Sequence, residues 1–407
     1  MRPQGTALPE RVREAACALA DGGGVPAYIY DLEHLAGHLA RIRSAFDQAG
    51  GGIEILHAVK ANPDPRLLAV IGAHVDGLEV ASGGELAHVR SHLPGVPLAF
   101  GGPGKTDVEL AAALDAGVHR FHVESLHELR RLDLFARAAG TVAPVLLRVN
   151  IPSGTAGDGV AALTMGGVPS PFGMDPAEAE KAAVELAQLP GVELFGIHAH
   201  LASGHGPAGC VALASSVLDW AAAFAARHGL DVREVNVGGG MDVDYADPDR
   251  VFDWDEYARL LAPLAEAYTP LTVRIEPGRA ISAYSGWYAT QVLDLKRSHG
   301  KVFAVCAGGT HHLRTPAAKG HSQPLAVVPR HGWGRPWPRP SETGTEVTFV
   351  GQLCTPKDVL ARDITVPRLA VGDVVVFGMA GAYAYNISHR DFLMHPAPAV
   401  VHLERTV

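Results

Sequence analysis

The chain has 407 residues, 47% of them hydrophobic and 19% charged, with a formal net charge of −9. This length suits two domains, and the apolar content supports a large core and excludes a largely disordered chain. The acidic balance and the lack of a Lys/Arg-rich run argue against nucleic acid and anionic membranes as partners.

The cysteines and the N-terminal segment bear on the compartment. Cys17, Cys210, Cys306 and Cys354 are far apart and form no CxxC pair, so neither a disulfide framework nor a zinc framework is expected. The first 24 residues carry charges throughout, and no later segment reaches about 18 uninterrupted apolar residues. We therefore expect a soluble cytoplasmic protein.

Short apolar runs alternate with stretches of helical periodicity between residues 53 and 279. Eight β/α units favour a closed parallel (β/α)8 barrel over an open doubly wound sheet, although periodicity alone does not show closure. In a barrel, active-site residues are expected at the C-terminal ends of the strands. The strand-like runs are residues 53–60, 77–82, 97–102, 120–125, 144–150, 194–202, 233–240 and 271–278.

The pattern changes after residue 283, where helical periodicity fades. Strand-like segments separated by Gly/Pro turns predict a β-rich second domain. They are residues 287–296, 301–309, 324–330, 345–353 and 373–383. Residues 331–344 are a predicted Pro/Trp-rich loop, and the early strand 25–31 is a candidate to pair with this domain. We divide the chain into an N-terminal segment (1–34), a barrel (35–282) and a β-rich domain (283–407).

Lys60 ends the first predicted strand, in HAVKAN. A lysine that is desolvated inside a barrel has a lowered pKa and becomes a nucleophilic amine suited to Schiff-base chemistry. The plain alternative is a lysine that extends to solvent at the barrel rim.

Two further strand ends carry groups suited to an anionic ligand. Gly238, Gly239 and Gly240 end the seventh run, where backbone N–H groups can approach a phosphate; a tight turn is the alternative. Glu276 and Arg279 end the eighth run. The carboxylate could accept a hydrogen bond from a protonated ring nitrogen and the guanidinium could pair with a phosphate, or the two could form a surface ion pair.

The segment HAHLASGH after the sixth run allows two interpretations. His200 could lie against a cofactor ring with Ser203 at its phosphate, or His198, His200 and His205 could bind zinc. No convincing set of Asp and His ligands on the other strands supports zinc. GGPGKT (101–106) resembles the end of a P-loop, but Ala99 stands where the pattern needs glycine, so we interpret it as a βα loop.

The β-rich domain offers Cys354 and Asp358 in GQLCTPKD and Tyr383 in GAYAYN. A thiol in a buried site can donate a proton to a carbanion. The commoner role of a free cysteine is to fill space in a core.

Together these segments resemble the pyridoxal-5′-phosphate-dependent decarboxylases of the alanine-racemase-like barrel fold (fold type III), the family of diaminopimelate, ornithine and arginine decarboxylases. The resemblance runs from VPAYIYD to GAYAYN. Its motifs occur in the family's order: HAVKAN, EVASGGE, LLRVN, HAHLASG, VGGG, EPGR, CTPKD and GAY.

The resemblance implies pyridoxal phosphate as cofactor and a role for each matching residue. Lys60 would hold it as a Schiff base, His200 would stack on its ring, and Glu276 would hold the ring nitrogen. Glu79 and Arg148 would lie near it in the site. The residues around the phosphate would be Ser203, Gly238, Gly239, Gly240, Arg279 and Tyr383. No metal is expected.

Cys354, with Asp358 after it, is by the same resemblance the proton donor to Cα. In this family the cysteine comes from the partner subunit, which implies a head-to-tail homodimer with two shared sites. A racemase is disfavoured, because alanine racemases lack the CTPKD arrangement. A metal-dependent hydrolase and a non-catalytic pseudo-enzyme remain as alternatives from other classes.

The residues expected at the substrate end of the site differ from those of the best-known members of the family. Thr355 and Pro356 follow Cys354, where diaminopimelate decarboxylases have Glu-Ser and ornithine-type enzymes have Asp. Arg314 matches a substrate-carboxylate arginine. Four further groups add basic character nearby: His311, His312, Lys319 and His321.

This pattern resembles the siderophore-pathway branch of the family, of the staphyloferrin B type, which decarboxylates a citrate-linked diamino acid. The predicted substrate contacts are Arg314, Cys354, Thr355 and Asp358. Decarboxylation of diaminopimelate, ornithine or another basic amino acid is the alternative.

Overall fold

The computed structural model describes residues 8–152, 163–164 and 166–404. The described residues fall into two units. The barrel unit contains residues 36–242 and 252–281, and the β-rich unit contains those up to 35, 243–251 and from 282 onward. The sequence places 243–251 in the barrel, but this segment clusters with the β-rich unit, where Tyr245 stacks on His321 with ring centroids 4.4 Å apart.

Eight parallel strands close into a barrel, which confirms the expected (β/α)8 architecture. Each strand pairs with the next in chain order, and the last closes on the first, with Arg274 opposite Glu54 and Ile275 opposite Ile55. The strands are Glu54–Ala58, Gly77–Val80, Leu98–Phe100, Arg120–Val123, Ala143–Arg148, Val192–His198, Glu234–Asn236 and Thr272–Ile275.

Helices alternate with these strands. Most begin at a short polar side chain whose oxygen accepts a backbone N–H of the first turn, which fixes the helix start close to the preceding strand end. The capping residues are Asp64, Ser82, Thr106, Ser125, Asp175 and Asp253. The helices are Leu32–Ala49, Pro65–Gly72, Gly83–His92, Asp107–Asp115, Leu126–Ala138, Pro176–Glu185, Pro207–His228, Trp254–Ala267 and Arg279–Ser282.

Three short elements complete the barrel unit. Single 3-10 turns span Val59–Ala61 and Leu186–Gln188, and a two-stranded sheet joins Leu163–Thr164 to Ala202–Ser203. The turn at Val59–Ala61 follows the first barrel strand directly, so it carries Lys60 at a strand end.

The barrel interior is unusually polar at both ends. Near the amino ends of the strands, the buried carboxylate of Glu234 accepts hydrogen bonds from Arg120 at 2.6 Å and Arg274 at 2.9 Å. One carboxylate facing two guanidinium groups satisfies charges that would otherwise be costly to bury. Further polar side chains are buried near the carboxyl ends: His57, Glu79, His122, Arg148, His198 and Asn236.

The β-rich unit is built on one mixed sheet. Its strands run in the spatial order Leu325–Val328, Val374–Phe377, Gly286–Ser298, Lys301–Cys306, Ser341–Val350 and Val359–Ala370. The early strand Ala27–Asp31 pairs antiparallel with Gly286–Ser298 and parallel with Ala399–Leu403. Helix Glu10–Asp21 packs Val12 and Ala16 against this sheet. The remaining elements are helix Thr315–Lys319 and the turns Ala283–Ser285, Tyr385–Ile387 and Phe392–Met394.

Two sequence-based expectations for this unit were incomplete. The predicted loop 331–344 is too long, because a strand begins at Ser341. The strand Val359–Ala370 was missed, because it mixes charged residues with Pro367 and is interrupted by Asp363 at a φ of 52°. These features hide the simple alternation that predicts a strand.

The helix Pro207–His228 is long and apolar enough to cross a membrane by length and composition alone. Core helices pass the same test, and this helix contacts Trp254–Ala267 within the barrel unit. It lies between the sixth and seventh barrel strands in the chain.

Candidate active site

Lys60 and Glu79 meet at the carboxyl ends of the first two barrel strands. The ammonium Nζ of Lys60 lies 2.5 Å from Oε2 of Glu79. The lysine side chain is 46% exposed, whereas the glutamate side chain is only 6% exposed. A buried carboxylate therefore holds the amine at the rim, where a ligand can reach it.

Glu276 follows the last barrel strand and is held from two sides. Asn236 donates a hydrogen bond from Nδ2 to Oε1 at 2.8 Å. His198 places Nε2 3.3 Å from Oε2, and His122 places Nδ1 3.7 Å from Oε1. Burial raises the pKa of Glu276, but the groups beside it, of which His198 has the largest effect, outweigh burial and hold the pKa well below its usual value. The carboxylate is therefore ionised and fixed in orientation.

His122 and His198 stack on each other beneath this carboxylate. Their ring centroids are 4.2 Å apart with an interplanar angle of 17°. Burial and the neighbouring His198 lower the pKa of His122 well below its usual value. Sequence reasoning missed His122 and Asn236. The available signal was their position on barrel strands. His122 lies one residue before the carboxyl end of its strand, and Asn236 is the last residue of its strand.

His200 is held as a neutral ring. Its Nδ1 accepts the backbone N–H of Gly239 at 3.0 Å, and its Nε2 lies 3.3 Å from the Ser203 hydroxyl. Burial, with the charge of Arg148 next in size, lowers the pKa of His200 to about 3. A neutral imidazole held at both nitrogens presents a flat face without a net charge, as stacking on an aromatic cofactor requires.

The three glycines form a loop with no space for side chains. Gly238 has a φ of 73°, and a Cβ there would lie 2.6 Å from Nδ1 of His200. Gly240 has a φ of 103°, and a Cβ at Gly239 or Gly240 would collide with the carbonyl oxygen of Glu276 or Ala202. Such bare backbone lets a phosphate approach closely, while the N–H groups of Gly238 and Gly239 already donate to Asn236 and His200. Arg279 begins the short helix after the eighth strand and is partly exposed.

Arg148 ends the fifth strand and is fixed by Glu124. The guanidinium donates to Oε1 of Glu124 at 2.5 Å and lies over the ring of Phe172 at 5.0 Å. Glu124 also accepts the backbone N–H of Gly102 at 3.0 Å and of Gly173 at 2.7 Å. The pair joins loops that follow three different strands, so Glu124 is a further site residue that sequence reasoning missed.

The GGPGKT segment is a βα loop, as expected. Lys105 is buried and donates to Glu128 at 2.6 Å and to the carbonyl oxygens of Gly102 and His122 at 2.8 and 2.9 Å. Its ammonium is fully occupied by these partners and serves the loop rather than a nucleotide.

In the β-rich unit, Asp358 organises the loop that carries Cys354. Its buried carboxylate accepts the backbone N–H of Thr310 at 2.6 Å and of Leu353 at 2.8 Å. Burial raises the pKa of Asp358, and these two hydrogen bonds oppose that effect. The Cys354 thiol is free and exposed, and Thr355 is partly exposed.

The other predicted residues of this unit lie on neighbouring segments. Arg314 is exposed and donates its backbone N–H to the Ser388 hydroxyl at 3.1 Å. Tyr383 is partly exposed at a φ of 49°, and its carbonyl accepts the Thr315 hydroxyl. His311 and His312 are buried, Lys319 is exposed, and His321 is occupied by its stack on Tyr245.

The structure does not bring together the three histidines that were predicted as alternative zinc ligands. Within the part of the chain that the structure describes, the group whose ligand atoms lie within 4.8 Å of one another is His122, His198 and Glu276. The predicted set of His198, His200 and His205 does not come together in this way. The contacts of Glu276 and the cradle of glycines suit an aromatic, phosphate-bearing cofactor instead.

Comparison with known proteins agrees with this geometry. Residues 32–283 match the family model of the pyridoxal-binding domain of pyridoxal-dependent decarboxylases. The chain is 37% identical to 2-[(L-alanin-3-ylcarbamoyl)methyl]-2-hydroxybutanedioate decarboxylase of Staphylococcus aureus, over 93% of this chain and 94% of that protein. It is 31% identical to a Niallia circulans decarboxylase of an L-glutamyl acyl-carrier protein, over 92% and 87%.

A solved structure is similar over both units. Diaminopimelate decarboxylase from Helicobacter pylori, a point mutant complexed with L-lysine, matches with a TM-score of 0.79 and 25% identity, over 93% of this chain and 92% of that chain. These comparisons confirm the resemblance drawn from the motifs, the barrel with its β-rich partner unit, and pyridoxal phosphate as the cofactor.

Proposed function

Because the chain belongs to the pyridoxal-dependent decarboxylases, which are carboxy-lyases, we propose that it removes the α-carboxylate of a citrate-linked diamino acid in siderophore biosynthesis. The observation that carries this proposal is the 37% identity to the Staphylococcus aureus enzyme along almost the whole of both chains. The substrate in the name of that enzyme is citrate joined through an amide to the side-chain nitrogen of 2,3-diaminopropionate.

Pyridoxal phosphate, when bound, supplies an electron-withdrawing ring that accepts the electron pair left by the departing CO2. In our proposal Lys60 carries the cofactor covalently and Glu79 orients its amine. Glu276 binds the ring nitrogen and keeps it protonated, and His200 lies against the ring face. The phosphate contacts are Ser203, Gly238, Gly239, Gly240, Arg279 and Tyr383.

Arg148 and Cys354 have separate proposed roles. Arg148, fixed by Glu124, contributes a positive charge to the cofactor end of the site. The Cys354 Sγ–H gives a proton to the carbon that has lost CO2, which completes the amine product. We assign Asp358 to the positioning of the Cys354 loop, because its carboxylate is already engaged by two backbone N–H groups.

The assembly and the compartment are part of the proposal. We propose a homodimer in which each active site receives Cys354 from a second subunit. All four cysteines are free, as a reducing compartment favours, which supports a cytoplasmic enzyme.

The substrate end supports a citrate-linked compound over diaminopimelate. No carboxylate follows Cys354 to bind a distal ammonium, since Thr355 and Pro356 occupy those positions. The exposed charged groups of segments 311–315 and 354–358 are cationic: Arg314 and Lys357. Cations attract the carboxylates of a citryl group and repel a free distal amine.

The test is CO2 release by the purified protein loaded with pyridoxal phosphate. We expect kcat/KM for citryl-2,3-diaminopropionate to exceed that for diaminopimelate or ornithine by about 100-fold or more, because a hydrogen bond from a cation to a citryl carboxylate contributes about 1.5–3 kcal/mol. Lys60→Ala should abolish turnover, whereas the exposed Lys181→Ala on a barrel helix should not. Equal or faster turnover of diaminopimelate would overturn the proposed substrate.

A further inference from the structure

Four histidines lie on hydrogen-bonded segments of the β-rich unit, and the proposed chemistry does not use them. We name them the histidine cluster: His311, His312, His389 and His395. The ring centroids of His311 and His312 are 3.9 Å apart, and those of His311 and His395 are 5.1 Å apart. His311 has no measurable exposure, and neither of its ring nitrogens has a hydrogen-bond partner among the described residues. Unpaired buried polar atoms are costly, so they point to a missing partner.

The cluster adjoins the loop that carries the Cys354 thiol. Gln352, two residues before Cys354, lies 3.1 Å from Nδ1 of His395 through its Nε2 and accepts the backbone N–H of Gly308 through its Oε1 at 2.7 Å. The Asp358 carboxylate ties the same loop to Thr310, next to His311. The cluster and the thiol are therefore parts of one connected region within a single unit.

A third segment completes this region. The Ser388 hydroxyl accepts the backbone N–H of Arg314 at 3.1 Å and donates to the carbonyl of His312 at 3.1 Å. His312 places its Nε2 2.9 Å from the carbonyl of Pro396. Residues 308–315, 351–358 and 383–396 are thus held together, and each contributes a histidine, a cation or the thiol.

The exposed charged groups on these three segments are mainly positive. Their exposed permanent cations are Arg314, Lys357 and Arg390, against one exposed carboxylate, Asp391. Burial raises the pKa of Asp358, and the charge of His389 is among the effects that oppose it. The hydroxyl of Tyr288 lies 3.0 Å from Nδ1 of His312. Burial and then the neighbouring histidines lower the pKa of His311 to about 3, and burial lowers that of His312 to about 4. A bound anion would offset this repulsion and favour protonation.

We propose that the histidine cluster, with Arg314, recognises the carboxylates at the distal end of the substrate and takes up a proton when they bind. This inference rests on the proposed function, because it assigns the citryl end of that substrate to named side chains. We assign the carboxylates to Arg314, His389 and His395, which are exposed or partly exposed. We assign to them also His311, the buried ring whose nitrogens lack a hydrogen-bond partner among the described residues. The Cys354 thiol then acts at the carbon that loses CO2, and the histidine cluster binds the citryl end of the same substrate.

Citrate is the probe, titrated calorimetrically into the holoenzyme. Two buffers of equal pH and different ionisation enthalpy separate the heat of binding from proton uptake. We expect citrate to bind with uptake of protons and to bind more tightly as the pH falls from 8 to 6.5. His395→Gln and His389→Gln keep a hydrogen-bonding group but cannot protonate, and should weaken binding about ten-fold, the effect of one charge-assisted hydrogen bond.

The matched control is His331→Gln, an exposed histidine in the Pro/Trp-rich loop of the same unit. Because the ionisation of citrate is identical for every variant, the difference from the parent protein reports only the cluster. With the citrate-linked substrate, the cluster variants should raise KM and largely keep kcat. A merely structural role would instead lower thermal stability and cofactor content together.

The outcomes separate the two claims. If the parent releases CO2 from the citrate-linked substrate, but citrate affinity and KM are unchanged in both cluster variants, the inference is wrong and the proposed function stands. If the parent releases no CO2 from that substrate, yet citrate binds with proton uptake that the variants lose, the site stands and the proposed substrate is wrong. If citrate binds without proton uptake, the protonation step is wrong.

Discussion

The carboxylate of Glu276 lies 3.3 Å from Nε2 of His198, and His198 stacks on His122. Two imidazoles and the Asn236 amide therefore surround one carboxylate at the carboxyl end of the barrel. The arrangement keeps Glu276 ionised, since His198 and the other groups beside it hold its pKa well below the ordinary value despite burial. This fixed negative charge is what a protonated ring nitrogen needs as its partner.

Replacing that charge tests its role. Glu276→Gln keeps the size and the hydrogen bonds but removes the charge, so we expect kcat to fall by about 100-fold or more, in the range that removal of one preorganised electrostatic partner produces. The ultraviolet–visible spectrum of the bound cofactor should also change its pH dependence. Steady-state kinetics and spectra between pH 6 and 9 check both expectations.

The control is Glu193→Gln, an exposed glutamate on the sixth barrel strand that pairs with Arg233. It should leave both measurements unchanged. A Glu276→Gln enzyme with parental kcat would contradict the assigned role.

The glycine loop gives a steric prediction. A Cβ at Gly239 would collide with the backbone carbonyl of Glu276, so the loop must shift and its N–H groups must leave their positions. We expect Gly239→Ala to weaken pyridoxal-phosphate binding at least ten-fold and to lower stability by about 1–3 kcal/mol, as overpacking usually does. Fluorescence titration and urea unfolding measure the two effects.

Gly37→Ala is the matched substitution, because a Cβ at this helical position meets nothing within 4 Å. Alanine is the better helix former there, so stability should be unchanged or slightly higher. Equal cofactor affinity in the two variants would show that the glycine loop does not hold the phosphate.

Many residues of this candidate site could be predicted from the sequence, because they lie at strand ends. Lys60, His200 and Glu276 each follow a strand that β-branched runs and glycine turns predict, and closure of the barrel brings them to one rim. The supporting residues also lie at a strand end, with His122 one residue before it and Glu124 directly after it, but their pairings could not be found in this way. Glu124 and His122 act only through a partner more than 20 residues away along the chain. No local pattern encodes such a pairing.

The β-rich unit was less predictable for a related reason. Strand Val359–Ala370 contains Asp363 in the left-handed region, and its pairing with Ser341–Val350 shifts register. Bulges of this kind break the alternation on which strand prediction depends. The role of Asp358 was also hidden, because the partners of its carboxylate are backbone N–H groups of Thr310 and Leu353.

His57 predicts a pH dependence of stability. Burial lowers its pKa from 6.5 in the unfolded chain to about 4 in the folded protein. Between these values the unfolded state binds a proton that the folded state excludes, so stability rises with pH and is lost as the pH falls from about 6.5 to 4. The contribution of one such group is up to about 1.4 kcal/mol per pH unit.

Urea unfolding at intervals between pH 4.5 and 7.5 measures this slope. His57→Gln should reduce it, whereas the exposed His127→Gln on a barrel helix should not. An identical slope in all three proteins would mean that His57 binds its proton in the folded state as readily as in the unfolded chain.

Cys354 is predicted to act in the chemistry and not in cofactor binding. Its thiol is exposed on a loop that Asp358 fixes from inside, so serine can replace it without disturbing the fold. Loss of a positioned proton donor typically costs 10²–10⁴-fold in rate. We therefore expect about this loss of kcat in Cys354→Ser, with an unchanged affinity for pyridoxal phosphate, whereas Cys17→Ser on the N-terminal helix should keep full activity. Full activity of Cys354→Ser would assign the proton to water or to another side chain.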